Sequence, residues 1–221
     1  MGMPMAMNLL AAGHHLTVHN RSRDRERPLV DAGAQSADTP AIAAAAADVV
    51  VICVSDTPDV EAVALGPEGV MTGAQPGTLV IDMSTISPTA TRAIAAQLDT
   101  QEIAMLDAPV SGGSEGAKNA TLSIMVGGEA DEVAKAMPVL QAMGKTITHV
   151  GPIGAGQTTK AINQIVVAGT YWAVAEGLAL GLKAGLDMDK VVPAVGSGAA
   201  GSWAFTHRSA TILHHPYPTP Q

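Results

Sequence analysis

Residues 38–54 read DTPAIAAAAADVVVICV, and the two halves of that stretch obey different rules. Asp38-Thr39-Pro40 opens a helix: a side-chain acceptor stands ahead of a proline in the first turn, where the missing N–H would have found no partner anyway. An alanine run carries the helix on to residue 47. Residues 48–54 then turn continuously apolar and β-branched, the pattern of a strand buried on both faces. Outward from this unit the same alternation repeats. Residues 15–19 (HLTVH) read as a short strand, followed by a charged stretch that leads into a helix around Leu29. Downstream, residues 59–64, 88–98 and 130–143 read as helices, and residues 78–82, 103–106, 122–126 and 146–150 as strands. Strands alternating with helices predict right-handed βαβ units on a parallel, doubly wound sheet.

Composition narrows the function classes. With 221 residues, 47% of them apolar and 14% charged, the chain buries a real core. Twelve basic residues against 20 acidic ones leave a net charge of −8, so no global positive field draws nucleic acid or anionic lipid. A single cysteine, Cys53, excludes a disulfide framework and a cysteine zinc cluster, and its apolar surroundings read as those of a small buried side chain. No basic-then-apolar leader opens the chain, and no uninterrupted apolar run approaches the roughly twenty residues of a bilayer span. A cytoplasmic protein with no membrane partner is the expectation. The histidine pairs His14-His15 and His214-His215 have no carboxylate at ligand spacing, so no metal site is assigned.

The α/β alternation stops near residue 155. Residues 157–184 are almost wholly apolar or small, with Gly185 placed as a stop, and read as one long helix. It leads toward an all-α region, of which residues 188–195 supply one more helix. The expected organisation is a dinucleotide-binding domain over residues 1–155, the long helix and the start of a helical domain over 156–203, and a divergent tail over 204–221. In such a domain a Gly-rich turn after the first strand receives the pyrophosphate. Here residues 1–13 read instead as the helix that follows such a turn, with Gly2 as the last glycine of the fingerprint.

Four blocks carry a family resemblance: the opening MGMPMAMNLLAAGH, the loop DMSTISP at 82–88, the block DAPVSGGSEGAKNATLSIMVGG at 107–128, and GPIGAGQTTKAINQ at 151–164. Together they resemble the β-hydroxyacid dehydrogenase family, through residue 203. The resemblance implies a Rossmann-like fold followed by an all-α domain, and it implies that the chain is truncated at both ends.

It also implies a reaction, reversible hydride transfer between a nicotinamide and a small 3-hydroxy acid or its aldehyde. The implied substrates are 2-hydroxy-3-oxopropionate (tartronate semialdehyde) in reduction, or 3-hydroxyisobutyrate in oxidation. Lys160 matches the family's catalytic lysine; an amine in an apolar cleft has its pKa lowered and serves as acid and base. Asn163 and Gln164, three and four residues on, occupy the same helical face and are substrate-binding candidates. Ser111-Gly112-Gly113 offers a hydroxyl and approachable backbone N–H groups to a substrate carboxylate, whereas Asp107 reads as a turn or capping residue.

At the end of the second strand an acidic residue selects NAD and an arginine accommodates the 2′-phosphate of NADP. Asn20-Arg21-Ser22 therefore favours NADP over NAD, with Arg21 on the phosphate and Arg23 or Arg25 as helpers. Gly2, Met3, Val54, Ser55 and Thr85 complete the implied cofactor contacts. A homo-oligomer is implied by the resemblance alone. The competing reading is a noncatalytic remnant or binding module of the same ancestry.

Overall fold

The computed structural model describes residues 1–214. The chain forms two compact units, Met1–Lys160 and Ala161–Gln221.

In the first unit, helix α1 (Gly2–Ala11) is followed by strand β1 (Thr17–Val18), a 3₁₀ turn at Arg23–Glu26, α2 (Arg27–Asp31) and β2 (Gln35–Ser36). Next come α3 (Pro40–Ala44), β3 (Val49–Ile52), α4 (Thr57–Leu65), α5 (Val70–Gly73), β4 (Leu79–Asp82), α6 (Pro88–Asp99) and β5 (Ala104–Asp107). The unit closes with β6 (Val110–Ser111), α7 (Gly113–Lys118), β7 (Leu122–Gly127), α8 (Ala130–Gln141) and β8 (Gly144–Gly151). The helix starts follow their caps. Thr39, Asp56 and Ser87 each accept a backbone N–H from the first turn of α3, α4 and α6, and each is followed by a proline within that turn.

β1 and β2 pair in parallel as a two-stranded sheet, and six strands form the other, in the order β3-β4-β5-β7-β6 with β8 on β7. β4 shows why the fold is doubly wound. Leu79 and Ile81 enter a core with Leu106, Ile124 and the inner faces of α1 and α8, while Val80 enters the opposite core with Ile52, Met105 and residues of α4 and α6. Side chains alternate across a strand, so a strand covered by helices on both faces must be apolar throughout. The architecture is the expected Rossmann-like α/β fold, with one correction. The sheet is not wholly parallel, because β7 runs antiparallel to both β5 and β6. Gly112 (φ 129°) and Gly113 (φ 63°) turn the chain sharply after β6, and the six-residue α7 is too short to carry a parallel crossover.

Helix α9 (Ala155–Lys183) begins in the first unit and ends in the second, where Gly185 (φ 72°) closes it. The second unit adds α10 (Met188–Gly196) and α11 (Trp203–His214) around Val174, Leu178, Met188 and Phe205. Two features of this unit add to the sequence reading. The tail is helical as far as His214 because Ala204, Phe205 and Ser209 turn inward; His215 and the remainder of the tail lie outside the described residues. In addition, α9 is long and apolar enough to cross a membrane, with a window of mean hydropathy 1.6, although only 17% of that window is buried in the structure. Counting uninterrupted apolar residues missed this, because a single polar residue such as Glu176 ends a run, whereas a windowed mean lets the surrounding Ile, Val and Leu residues outweigh it.

Candidate active site

The parallel strands β3, β4 and β5 end in register: Ile52 pairs with Asp82, and Asp82 with Asp107. The loops that follow them leave from one edge of the sheet, the edge at which open α/β sheets bind ligands.

Asp107, at the end of β5, has no exposed surface and acts as a cap. Its two carboxylate oxygens accept from the backbone N–H groups of Gly154 (2.6 Å) and Gln157 (2.7 Å) at the start of α9. Burial pushes its pKa up and these amides pull it back. The approach is close. A Cβ on Gly156 would collide with the Met125 carbonyl and come within 2.7 Å of the Asp107 carbonyl. One turn further along α9, Lys160 is 9% exposed and its ammonium donates to the Val110 carbonyl at 2.7 Å. Val110 immediately precedes Ser111, so Lys160 and the Ser111-Gly112-Gly113 turn come together. Desolvation lowers the Lys160 pKa, as acid/base work requires. Asn163 and Gln164 lie in the second unit, where the Asn163 amide donates to the Gln164 carbonyl at 2.9 Å.

After β4, the chain presents Thr85 to solvent between buried Ser84 and Ile86. Ser84 receives the Val54 N–H on its hydroxyl at 2.9 Å, which links two of the expected cofactor loops and engages the Val54 amide. Ser55 is exposed beside Asp56, the cap of α4. The side chain of Gln157, 1% exposed, bonds to the backbone of both Ser84 and Ile86. Sequence reading passed over Gln157, although it stands inside the quoted GPIGAGQ block.

At the end of β1, Asn20, Arg21 and Ser22 form an exposed turn. The Arg21 side chain is 86% exposed and touches Asp59 at 3.1 Å. The expected helper Arg23 is occupied: its guanidinium bonds to Glu26 (2.9 Å), Asp38 (3.1 Å), the Ser36 hydroxyl (2.8 Å) and the Ala37 carbonyl. Glu26 is buried, accepting from the Asn20 N–H and the Ser36 hydroxyl as well as from Arg23. Sequence reading placed Glu26 in a solvated charged run, and no signal within that run separates it from its neighbours. Gly2 and Met3 open α1, which has no side-chain cap. Gly2 lies against Cys53, which is half-buried and carries a thiol pKa raised by desolvation.

The donor set fits a 2′-phosphorylated dinucleotide: an exposed guanidinium, shared with Asp59, and an amide where a carboxylate would repel phosphate. Among the described residues no group of three His, Cys, Asp or Glu side chains is arranged to hold a metal ion.

Comparison with known proteins finds dinucleotide-binding relatives along the chain. A family model described as the NAD binding domain of 6-phosphogluconate dehydrogenase matches residues 1–151. A second, described as NAD-binding of NADP-dependent 3-hydroxyisobutyrate dehydrogenase, matches residues 154–219 and so runs past Trp203, where the motif resemblance stops. The 2-hydroxy-3-oxopropionate reductase of Escherichia coli is 43% identical over 91% of this chain and 69% of its own length. The NAD-dependent L-serine dehydrogenase of Pseudomonas aeruginosa is 40% identical over 99% of this chain and 71% of its own. Among solved structures, the Mycobacterium tuberculosis 3-hydroxyisobutyrate dehydrogenase with L-serine superposes with a TM-score of 0.84 at 34% identity, covering 100% of this chain and 72% of that one.

Proposed function

The chain belongs to the β-hydroxyacid dehydrogenase family, and on that premise we propose that it interconverts a small 3-hydroxy acid and its semialdehyde with NADP as hydride carrier, acting by preference as a 2-hydroxy-3-oxopropionate reductase. 3-Hydroxyisobutyrate is the related acid for the reverse direction. The observation that carries the reading is Lys160, desolvated and aimed at the Val110 carbonyl beside the Ser111 turn.

Bound NADPH would supply the hydride. The residues of this chain do the rest. Lys160 gives its proton to the aldehyde oxygen as that oxygen gains negative charge, and burial eases the release by disfavouring the ammonium. The Ser111 hydroxyl and the backbone at Gly112 and Gly113 take the substrate carboxylate; neither glycine carries a Cβ to shield its amide, and both adopt the positive φ that glycine tolerates. Asn163 and Gln164 are the further polar candidates for substrate on α9. Gly2, Met3, Val54, Ser55 and Thr85 line the dinucleotide, and Asn20, Arg21 and Ser22 its adenosine ribose. Arg21 favours NADP because Asn20 stands after β1 in the place of the acidic residue that would bind the ribose hydroxyl. We assign the cytoplasm as its compartment, and a second copy of the chain as the partner that covers exposed Ile165, Val166 and Trp172 of α9.

The test is a titration of the purified chain with NADPH and NADH, followed by loss of NADPH absorbance on addition of 2-hydroxy-3-oxopropionate. Tighter NADPH binding with turnover is expected. NADPH binding without turnover of any 3-hydroxy acid or semialdehyde would replace the enzyme reading with that of a binding module.

A further inference from the structure

Gln157 is among the most deeply buried polar side chains of the first unit. Its amide nitrogen donates to the Ser84 carbonyl at 2.9 Å, and its amide oxygen accepts from the Ile86 N–H at 3.1 Å. These are the two backbone groups that bracket residue 85, and the side chain pairs with them as a neighbouring strand would. Thr85 is thereby held outward between two anchored neighbours. The backbone N–H of Gln157 donates to Asp107 at 2.7 Å, and three residues on Lys160 reaches Val110, itself three residues after Asp107. A closed circuit results: Asp107 to Val110 along the chain, Val110 to Lys160 by a hydrogen bond, Lys160 to Gln157 along α9, and Gln157 back to Asp107.

The circuit has little slack. A Cβ on Gly127 would collide with the Asp107 carboxylate and lie 2.8 Å from the Gly156 nitrogen. Only a side chain that donates and accepts at amide spacing satisfies Ser84 and Ile86 together, and unpaired partners at this depth would be strongly disfavoured. Methionine has the reach and neither bond. Glutamate keeps the acceptor but sets a negative oxygen against the Ser84 carbonyl.

We propose that Gln157 is a positioning residue which locks the Thr85 loop to the lysine-bearing start of α9, so that the nicotinamide side of the site and the Lys160 ammonium are held in one fixed relation. The functional meaning rests on the dehydrogenase reading, whereas the lock itself does not.

Gln157→Met in the full chain tests it. Amide hydrogen exchange is expected to show Ile86 losing its protection while β7 and β8 keep theirs. The Kd for NADPH should rise about tenfold, and kcat should fall at least tenfold with the semialdehyde KM within about twofold, because alignment and not substrate binding is lost. Unchanged Ile86 exchange, or kcat and NADPH affinity within twofold of wild type, would overturn the proposal. Should the variant fail to fold, Gln157→Glu decides. Its neutral acid reproduces both bonds and its anion loses the donor, so NADPH affinity relative to wild type should fall as pH rises. Asp82, bonded to the Ser84 N–H, and Asp107 titrate in both proteins, and their coupling to a charge at position 157 is part of that ratio. A flat ratio would overturn the lock. A wild-type chain that binds NADPH and turns nothing over removes the enzyme reading, and the exchange and binding data still decide the role of Gln157.

Discussion

Asp82 and Asp107 stand at the same register position on neighbouring strands β4 and β5, and neither has exposed surface. Their fates differ. Asp107 has both oxygens engaged by α9, whereas Asp82 accepts the Ser84 N–H on one oxygen and has no partner on the other. Desolvation, opposed by the Ser84 hydrogen bonds and reinforced by the charge of Asp107, raises Asp82 from 3.8 to about 6.

The pH dependence of stability follows. An acid whose folded pKa lies above its unfolded value binds its proton more tightly when folded, so stability falls as pH rises between about 4 and 6. The Asp82 contribution lost across that window is on the order of 2–3 kcal/mol. Chemical denaturation from pH 4 to pH 8 measures it. Asp82→Asn should flatten the slope in that window, and a slope equal to that of wild type would assign the pH dependence elsewhere.

Removing the lysine should separate binding from chemistry. Lys160→Ala is expected to lower kcat by about 10² to 10⁴ while leaving the NADPH Kd within about threefold. In the wild type, reduction needs the ammonium form, so its rate should fall at high pH along a limb centred below the ordinary lysine value of 10.5. A pH–rate profile reads that limb, and its persistence in Lys160→Ala would assign it to another group.

Arg21 carries the cofactor choice. Arg21→Ala should weaken NADPH binding about tenfold, roughly 1.4 kcal/mol, and change NADH binding by less than twofold. Paired fluorescence titrations give the ratio. Its neighbour Arg23, spent on Glu26, Asp38, Ser36 and Ala37, should show no selectivity between the two cofactors when replaced.

Glu26 supports the turn that presents Arg21. Glu26→Ala leaves the Asn20 N–H and the Ser36 hydroxyl proton without their acceptor and removes one partner of Arg23, for an expected loss of about 1–3 kcal/mol in urea denaturation. NADPH affinity should fall with it. Glu26→Gln, which keeps an acceptor for Asn20, should recover most of both.

Residues 49–52 and 79–81 announced buried strands because helices on both faces demand unbroken apolar runs, and Thr39 and Gly185 marked helix ends through groups that act within a turn or two. Lys160 and the Ser111 turn were singled out for another reason: both lie in blocks that resemble the dehydrogenase family, and Lys160 is in addition a lone amine in an apolar helix start. By itself, then, the sequence determined the order of the longer elements, the doubly wound α/β class and the chemical groups on offer, and it left out the short β2, α5, β6 and α7 and the helix of the tail. Tertiary structure alone decided the antiparallel β7, the burial of Glu26 in a run of exposed charges, which distant helix Asp107 caps, and the role of Gln157. Those roles rest on hydrogen bonds between residues 47 to 73 positions apart. Local periodicity reports which face of an element is buried, and it carries no information about which distant backbone group will meet a buried carboxylate or amide there.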